Sequence, residues 1–121
     1  MSSIIGFVMK LLIVEDNAEM RRLIVKIVRQ SNDAIFECED GAEALPAYRV
    51  HLPDWVLMDV QMRVLDGISA TRQIINDFPD AKIAIVTDYG SADLRRAAAE
   101  AGAREYIVKE NLIELRRVLA H

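Results

Sequence analysis

The feature that most constrains the fold of this chain is an alternation. Short apolar runs recur along it: KLLIV (10–14), AIFEC (34–38), WVLM (55–58), IAIV (83–86) and YIV (106–108). Three of them are near-continuous and rich in Val and Ile, as strands covered on both faces should be. Longer stretches with apolar residues at helical spacing lie between the runs. Strands alternating with helices over about 110 residues predict βαβ units with right-handed crossovers. The expected fold is therefore α/β and doubly wound, a five-stranded parallel sheet flanked by five helices.

The helical stretches differ in strength. Met20, Leu23, Ile24, Ile27 and Val28 form the best amphipathic stripe. Leu94, Ala97, Ala98 and Ala101 repeat the pattern with small residues, and Gly102 follows as a helix stop. Asn111 and Glu114 have the spacing of a capping box opening the last helix, with Leu112, Leu115 and Leu119 on one side. Gly41–Arg49 and Gly67–Asp77 are weaker helices. Pro46 should give the first a late start or a kink, because a proline past the first turn removes a helix bond.

With 121 residues, 52% of them hydrophobic and 28% charged, the chain has the size and composition of one ordinary globular domain. A net charge of −4 without a Lys/Arg cluster argues against direct nucleic-acid binding by this chain and against an anionic membrane surface. Cys38 is the only cysteine, which fits a reducing, cytoplasmic setting without disulfides. The apolar stretch Ile4–Val8 is too short to span a membrane. Residues 1–8 read as an N-terminal extension or a misassigned start, and 9–121 as the domain.

In a doubly wound sheet ligands bind beyond the carboxyl ends of the strands, at the switch point in strand order. The runs here end in Glu15-Asp16-Asn17, Asp59, Thr87-Asp88 and Lys109-Glu110. Asp16 or Asn17 alone could be a helix cap. Glu15, Asp16 and Asp59 together would repel one another unless a cation sits between them or a proton is taken up. Hard oxygen ligands on open loops suit Mg²⁺. Lys109 adds a positive charge and Thr87 a hydroxyl donor. That inventory suits a carboxylate nucleophile receiving a phosphoryl group, with Asp59 as the acceptor.

The motifs LLIVEDN (11–17), GAEAL (41–45), VLMDVQM and VLDG (56–62, 64–67), IAIVT (83–87) and GAREYIVKEN (102–111) resemble the response regulator receiver domain of two-component signalling. The ending after Lys109 is similar to receivers attached to LuxR-type DNA-binding domains. The resemblance implies a flavodoxin-like fold and a phosphoacceptor rather than an enzyme. It implies Asp59 as the acceptor, with Asp16, Asp59 and the carbonyl of Gln61 on Mg²⁺ and Glu15 acting through water. Lys109 and Thr87 would contact the phosphoryl group, and Thr87 and Tyr106 would form the switch. A histidine kinase or histidine phosphotransfer protein would be the donor. The helix Ala92–Ala101, the last strand and the last helix would face an output partner or domain, or pair in a phosphorylation-dependent dimer.

Three positions depart from the family pattern. Arg63 replaces the usual proline; it is either a solvated loop residue or a guanidinium leaning toward Glu15 or Asp16. Glu110 replaces a proline commonly preceded by a cis bond, and predicts a trans peptide with a re-routed loop. Asp88 adds a carboxylate after Thr87, facing either solvent or an incoming donor. Competing readings fit less well. A phosphatase of the haloacid dehalogenase type needs a second Asp two residues after the nucleophile, where this chain has Gln61. An FMN binder needs a phosphate loop after the first strand, where EDNAEM is acidic. A degenerate receiver that binds partners without phosphorylation remains the alternative.

Overall fold

The computed structural model describes residues 9–30 and 33–120; the reading of residues 1–8 lies outside them. The strands are β1 (Lys10–Val14), β2 (Ala34–Cys38), β3 (Trp55–Met58), β4 (Ile83–Thr87) and β5 (Glu105–Val108). The helices are α1 (Ala18–Val28), α2 (Ala44–His51), α3 (Gly67–Asp77), α4 (Ala92–Ala101) and α5 (Glu114–Leu119). All strand pairs are parallel, in the order β2-β1-β3-β4-β5. The order reverses at β1, so the crevice expected of a doubly wound sheet lies beyond the ends of β1 and β3.

Alternation along the strands divides the core in two. Leu11, Ile13, Leu57, Val86 and Ile107 face α1 and α5, where Ile24, Val28, Leu115 and Val118 cover them. Leu12, Val14, Val56, Met58, Ile83 and Ile85 face α2, α3 and α4, meeting Tyr48, Ala70, Ile74 and Ala98. β1, β3 and β4 are covered on both sides, which explains their unbroken apolar character. Each fully buried Leu or Ile contributes about 1.5–3 kcal/mol.

The helix signals resolve in detail. Pro46 is the third residue of α2, which starts at Ala44 after a 3-10 turn at Gly41–Glu43, so the helix begins late and the missing Pro46 N–H falls in the first turn, where no intrahelical bond is due. Gly102 ends α4 in left-handed backbone (φ 107), where a side chain would also collide with Ile75. The Asn111–Glu114 capping box does not form. Lys109–Asn111 makes a 3-10 turn instead, and Leu112 and Ile113 keep helical dihedrals up to the start of α5. A cap residue needs extended backbone, which this segment lacks; Glu114 pairs with Arg117 at 2.7 Å. Leu23 also departs from expectation. Ile24 and Val28 centre the buried stripe of α1, leaving Leu23 on its flank and 43% exposed.

Candidate functional site

The carboxyl ends of β1 and β3 are pinned by the sheet itself. Glu15 N donates to Cys38 O (3.1 Å) and Asp59 N donates to Val14 O (3.0 Å), so both acids leave the sheet at fixed positions. Glu15 is 1% and Asp59 5% exposed, while Asp16 is half-buried beside them. Asn17, not Asp16, caps α1: its Oδ1 accepts from Met20 N at 2.8 Å. Carboxylate oxygens of Glu15, Asp16 and Asp59 lie within 4.8 Å of one another.

Lys109 enters this cluster from the end of β5. Its Nζ lies 2.9 Å from Glu15 Oε1, 3.3 Å from Asp59 Oδ1 and 3.9 Å from Asp88 Oδ2. The Lys109 ammonium is the partner of that buried Glu15 oxygen. Asp59 Oδ1 also accepts from Val60 N at 2.9 Å. Burial and then the neighbouring Glu15 push the Asp59 carboxyl up to about 7, with Lys109 partly offsetting both. Burial alone would lower the Lys109 ammonium, but Glu15 and Asp59 outweigh it and raise its pKa. One ammonium thus serves more negative charge than it can balance, and the site has an unmet demand for positive charge.

These groups open onto a cleft of about 550 Å³, lined also by Asn17, Glu19, Met20, Leu23, Gln61 and Tyr89. The three clustered carboxylates, with their hard oxygen donors and a single ammonium between them, fit a divalent cation.

Thr87 is fully buried at the end of β4, and its hydroxyl accepts from Tyr89 N at 3.4 Å. Tyr106 is half-buried on β5. Its hydroxyl donates to Tyr89 O at 2.5 Å, and Arg95 of α4 lies over its ring at 4.6 Å. The structure therefore gathers Glu15, Asp16, Asp59, Gln61, Thr87 and Lys109 at one end of the sheet, and links Tyr106 to the loop after Thr87.

The departures take definite places. The Arg63 guanidinium forms no ion pair among the described residues; the side chain is exposed in a shallow depression shared with Asp16 and Gln61. The next residue, Val64, takes left-handed backbone (φ 69), a costly conformation for a β-branched side chain. The Lys109–Glu110 bond is trans, as expected, and the chain turns at once into the 3-10 turn.

Two contributors escaped the sequence reading. Arg21, only 13% exposed, donates to Glu15 O at 2.6 Å and pairs with Glu37 at 2.9 Å and Glu39 at 3.8 Å. It ties α1 and β2 to the loop carrying the acids. Gly67 packs so tightly that a Cβ on it would lie 1.7 Å from Asp59 O, while its N–H donates to Val60 O at 2.8 Å. The sequence signal for Gly67 was its place in the VLDG motif; Arg21 gave none.

A family profile described as a response regulator receiver domain matches residues 11–120. The chain is 38% identical over 101 residues to the chemotaxis protein CheY of Bacillus subtilis, covering 83% of this chain and 84% of that one. A two-component response regulator of the LuxR family from Aurantimonas superposes with a TM-score of 0.86 at 31% identity, covering 94% of this chain and 84% of that one. The CheX–CheY–BeF3–Mg complex from Borrelia burgdorferi superposes at 0.85 with 26% identity, covering 93% and 87%.

Proposed function

The chain belongs to the response regulator receiver domain family, and from that premise we propose that Asp59 accepts a phosphoryl group from a phosphohistidine donor. The observation that carries the reading is the convergence of Lys109 Nζ on Asp59 (3.3 Å) and Glu15 (2.9 Å) beside the half-buried Asp16.

In the proposed step an Asp59 carboxylate oxygen attacks phosphorus. A P–O bond forms, the P–N bond to the donor imidazole breaks, and the imidazole leaves with the bonding pair. Lys109 holds Asp59 as the carboxylate before transfer and donates to a phosphoryl oxygen afterwards. The Thr87 hydroxyl exchanges its contact with Tyr89 N for a phosphoryl oxygen. Asp16, Asp59 and the Gln61 carbonyl would hold Mg²⁺, with Glu15 acting through water; bound there, the ion supplies the positive charge that neutralises the transferring group.

Transfer is coupled to output through Tyr89 and Tyr106. Movement of Thr87 toward the phosphoryl group shifts the Tyr89 carbonyl, releases the Tyr106 hydroxyl and alters the face formed by α4, β5 and α5. The donor would be a histidine kinase or a histidine phosphotransfer protein, and that face would meet the output partner or domain.

The test is intact mass after incubation with Mg²⁺ and acetyl phosphate. The parent gains one phosphoryl group, and Asp59→Asn gains none. A parent that stays unmodified, together with its Asp88→Asn variant, marks a receiver working as a binding module without phosphorylation. An adduct that persists in Asp59→Asn moves the acceptor elsewhere.

A further inference from the structure

Three carboxylates share the ammonium of Lys109, and they differ in access. Glu15 and Asp59 are sealed, with side chains 2% and 6% exposed, whereas the Asp88 side chain is 67% exposed. Asp88 comes from the loop after β4, its Oδ2 3.9 Å from Lys109 Nζ, and it lines the cleft that opens over Asp59. A phosphoryl group bound for Asp59 must enter by that open side and must take a hydrogen bond from Lys109. It meets the Asp88 charge on the way in and then competes with Asp88 for the ammonium. Glu15, Asp16 and Glu19 line the same cleft, and among its described lining residues Lys109 is the one cation.

We propose that Asp88 is a specificity-determining residue that selects phosphodonors by charge, disfavouring free dianionic donors relative to less negative ones. This rests on the reading of Asp59 as the phosphoacceptor. The effect is electrostatic and acts through space. Across about 6 Å of water-like screening, one unit charge against a dianion changes a rate on the order of tenfold. Salt weakens it, because the Debye length shrinks from about 30 Å at 0.01 M to about 3 Å at 1 M.

The experiment follows phosphorylation by intact mass over time for the parent, Asp88→Asn and Asp88→Ala. Each is given Mg²⁺ with acetyl phosphate, a dianion, or phosphoramidate, which carries less negative charge. Asp88→Asn keeps the size and removes the charge. Its acetyl phosphate rate is expected to rise on the order of tenfold at low salt, to rise less with phosphoramidate, and to converge on the parent at high salt. Equal rates for parent and Asp88→Asn overturn the proposal and leave the Asp59 reading intact. So does an acceleration confined to Asp88→Ala, which is relief of bulk, or one equal for both donors and insensitive to salt. A parent that is unmodified while Asp88→Asn is labelled supports the proposal at its limit. Failure of all three proteins with both donors removes the Asp59 reading and this proposal with it.

Discussion

Lys109 and Arg49 make ion pairs of almost the same length in opposite surroundings. Lys109 Nζ to Glu15 is 2.9 Å with both side chains under 10% exposed, and Arg49 to Asp77 is 2.8 Å with side chains 57% and 38% exposed. Distance therefore says little about what either pair does. Water screens the α2–α3 pair and would solvate each partner equally well alone. At the end of the sheet water is excluded, so every charge depends on its neighbours, and the neighbours do not sum to neutrality. The first pair decorates a finished fold. The second belongs to a site kept short of positive charge.

The comparison breaks most visibly at Lys109. Replacing it by Met leaves Glu15 and Asp59 buried without their cation, and the expected loss of stability is about 3–5 kcal/mol at pH 8. Urea unfolding followed by circular dichroism measures it. The loss should shrink at pH 5, where Asp59 can take up a proton; a loss under about 1 kcal/mol at pH 8 would make the buried pair no different from a surface one.

Asp59 sharpens the contrast through pH. Its carboxyl titrates at about 7 in the folded protein against an ordinary value of 3.8. Between those values the folded protein holds a proton that the unfolded chain has released, so stability falls as pH rises across the window. The cost is fully present above pH 7 and is on the order of 4 kcal/mol. Thermal melts from pH 5 to 8 should show this slope in the parent, and Asp59→Asn should flatten it. Mg²⁺ should restore the parent at pH 8 and do little for the variant. Equal slopes in both proteins would remove Asp59 as the cause.

The smallest effect belongs to the exposed pair. Arg49→Ala should cost no more than about 0.5 kcal/mol, and less as salt is raised. A cost comparable to that of Lys109→Met in the same urea titrations would erase the distinction between the two pairs.

What could be read in the sequence was what is written locally. Apolar runs specify buried strands wherever they stand, so β1 and β3 fall on Lys10–Val14 and Trp55–Met58, and β4 covers the run Ile83–Val86 and one residue more. Gly67 and Gly102 punctuate helices by their own chemistry: α3 starts at Gly67, and α4 ends one residue before Gly102. The polar residues after the strands could be found because the parallel topology sends every strand's carboxyl end to the same edge. What stayed hidden depends on neighbours brought from elsewhere. Arg21 looks like any polar residue of a surface helix until β2 places Glu37 and Glu39 beside it. The Asn111–Glu114 spacing is right for a cap, but the backbone arriving from Lys109 is already coiled and denies it the extended residue it needs. The Arg63 side chain had an electrostatic motive to approach the acids, yet the loop, passing through left-handed Val64, carries it to solvent.

The packing of Gly67 on Asp59 has a consequence for how sequence tolerance will look in this protein. Glycine has no side chain with which to bind, donate or ionise, yet any atom added there would force apart the strand end that carries Asp59 and the helix that follows it. A scan that scores every substitution by signalling output would therefore rank position 67 alongside position 59. Separating the two takes a readout of folding: substitutions at Gly67 should lower the yield of folded protein, while Asp59→Asn, on the proposed role of Asp59, should leave folding intact and silence only the signal.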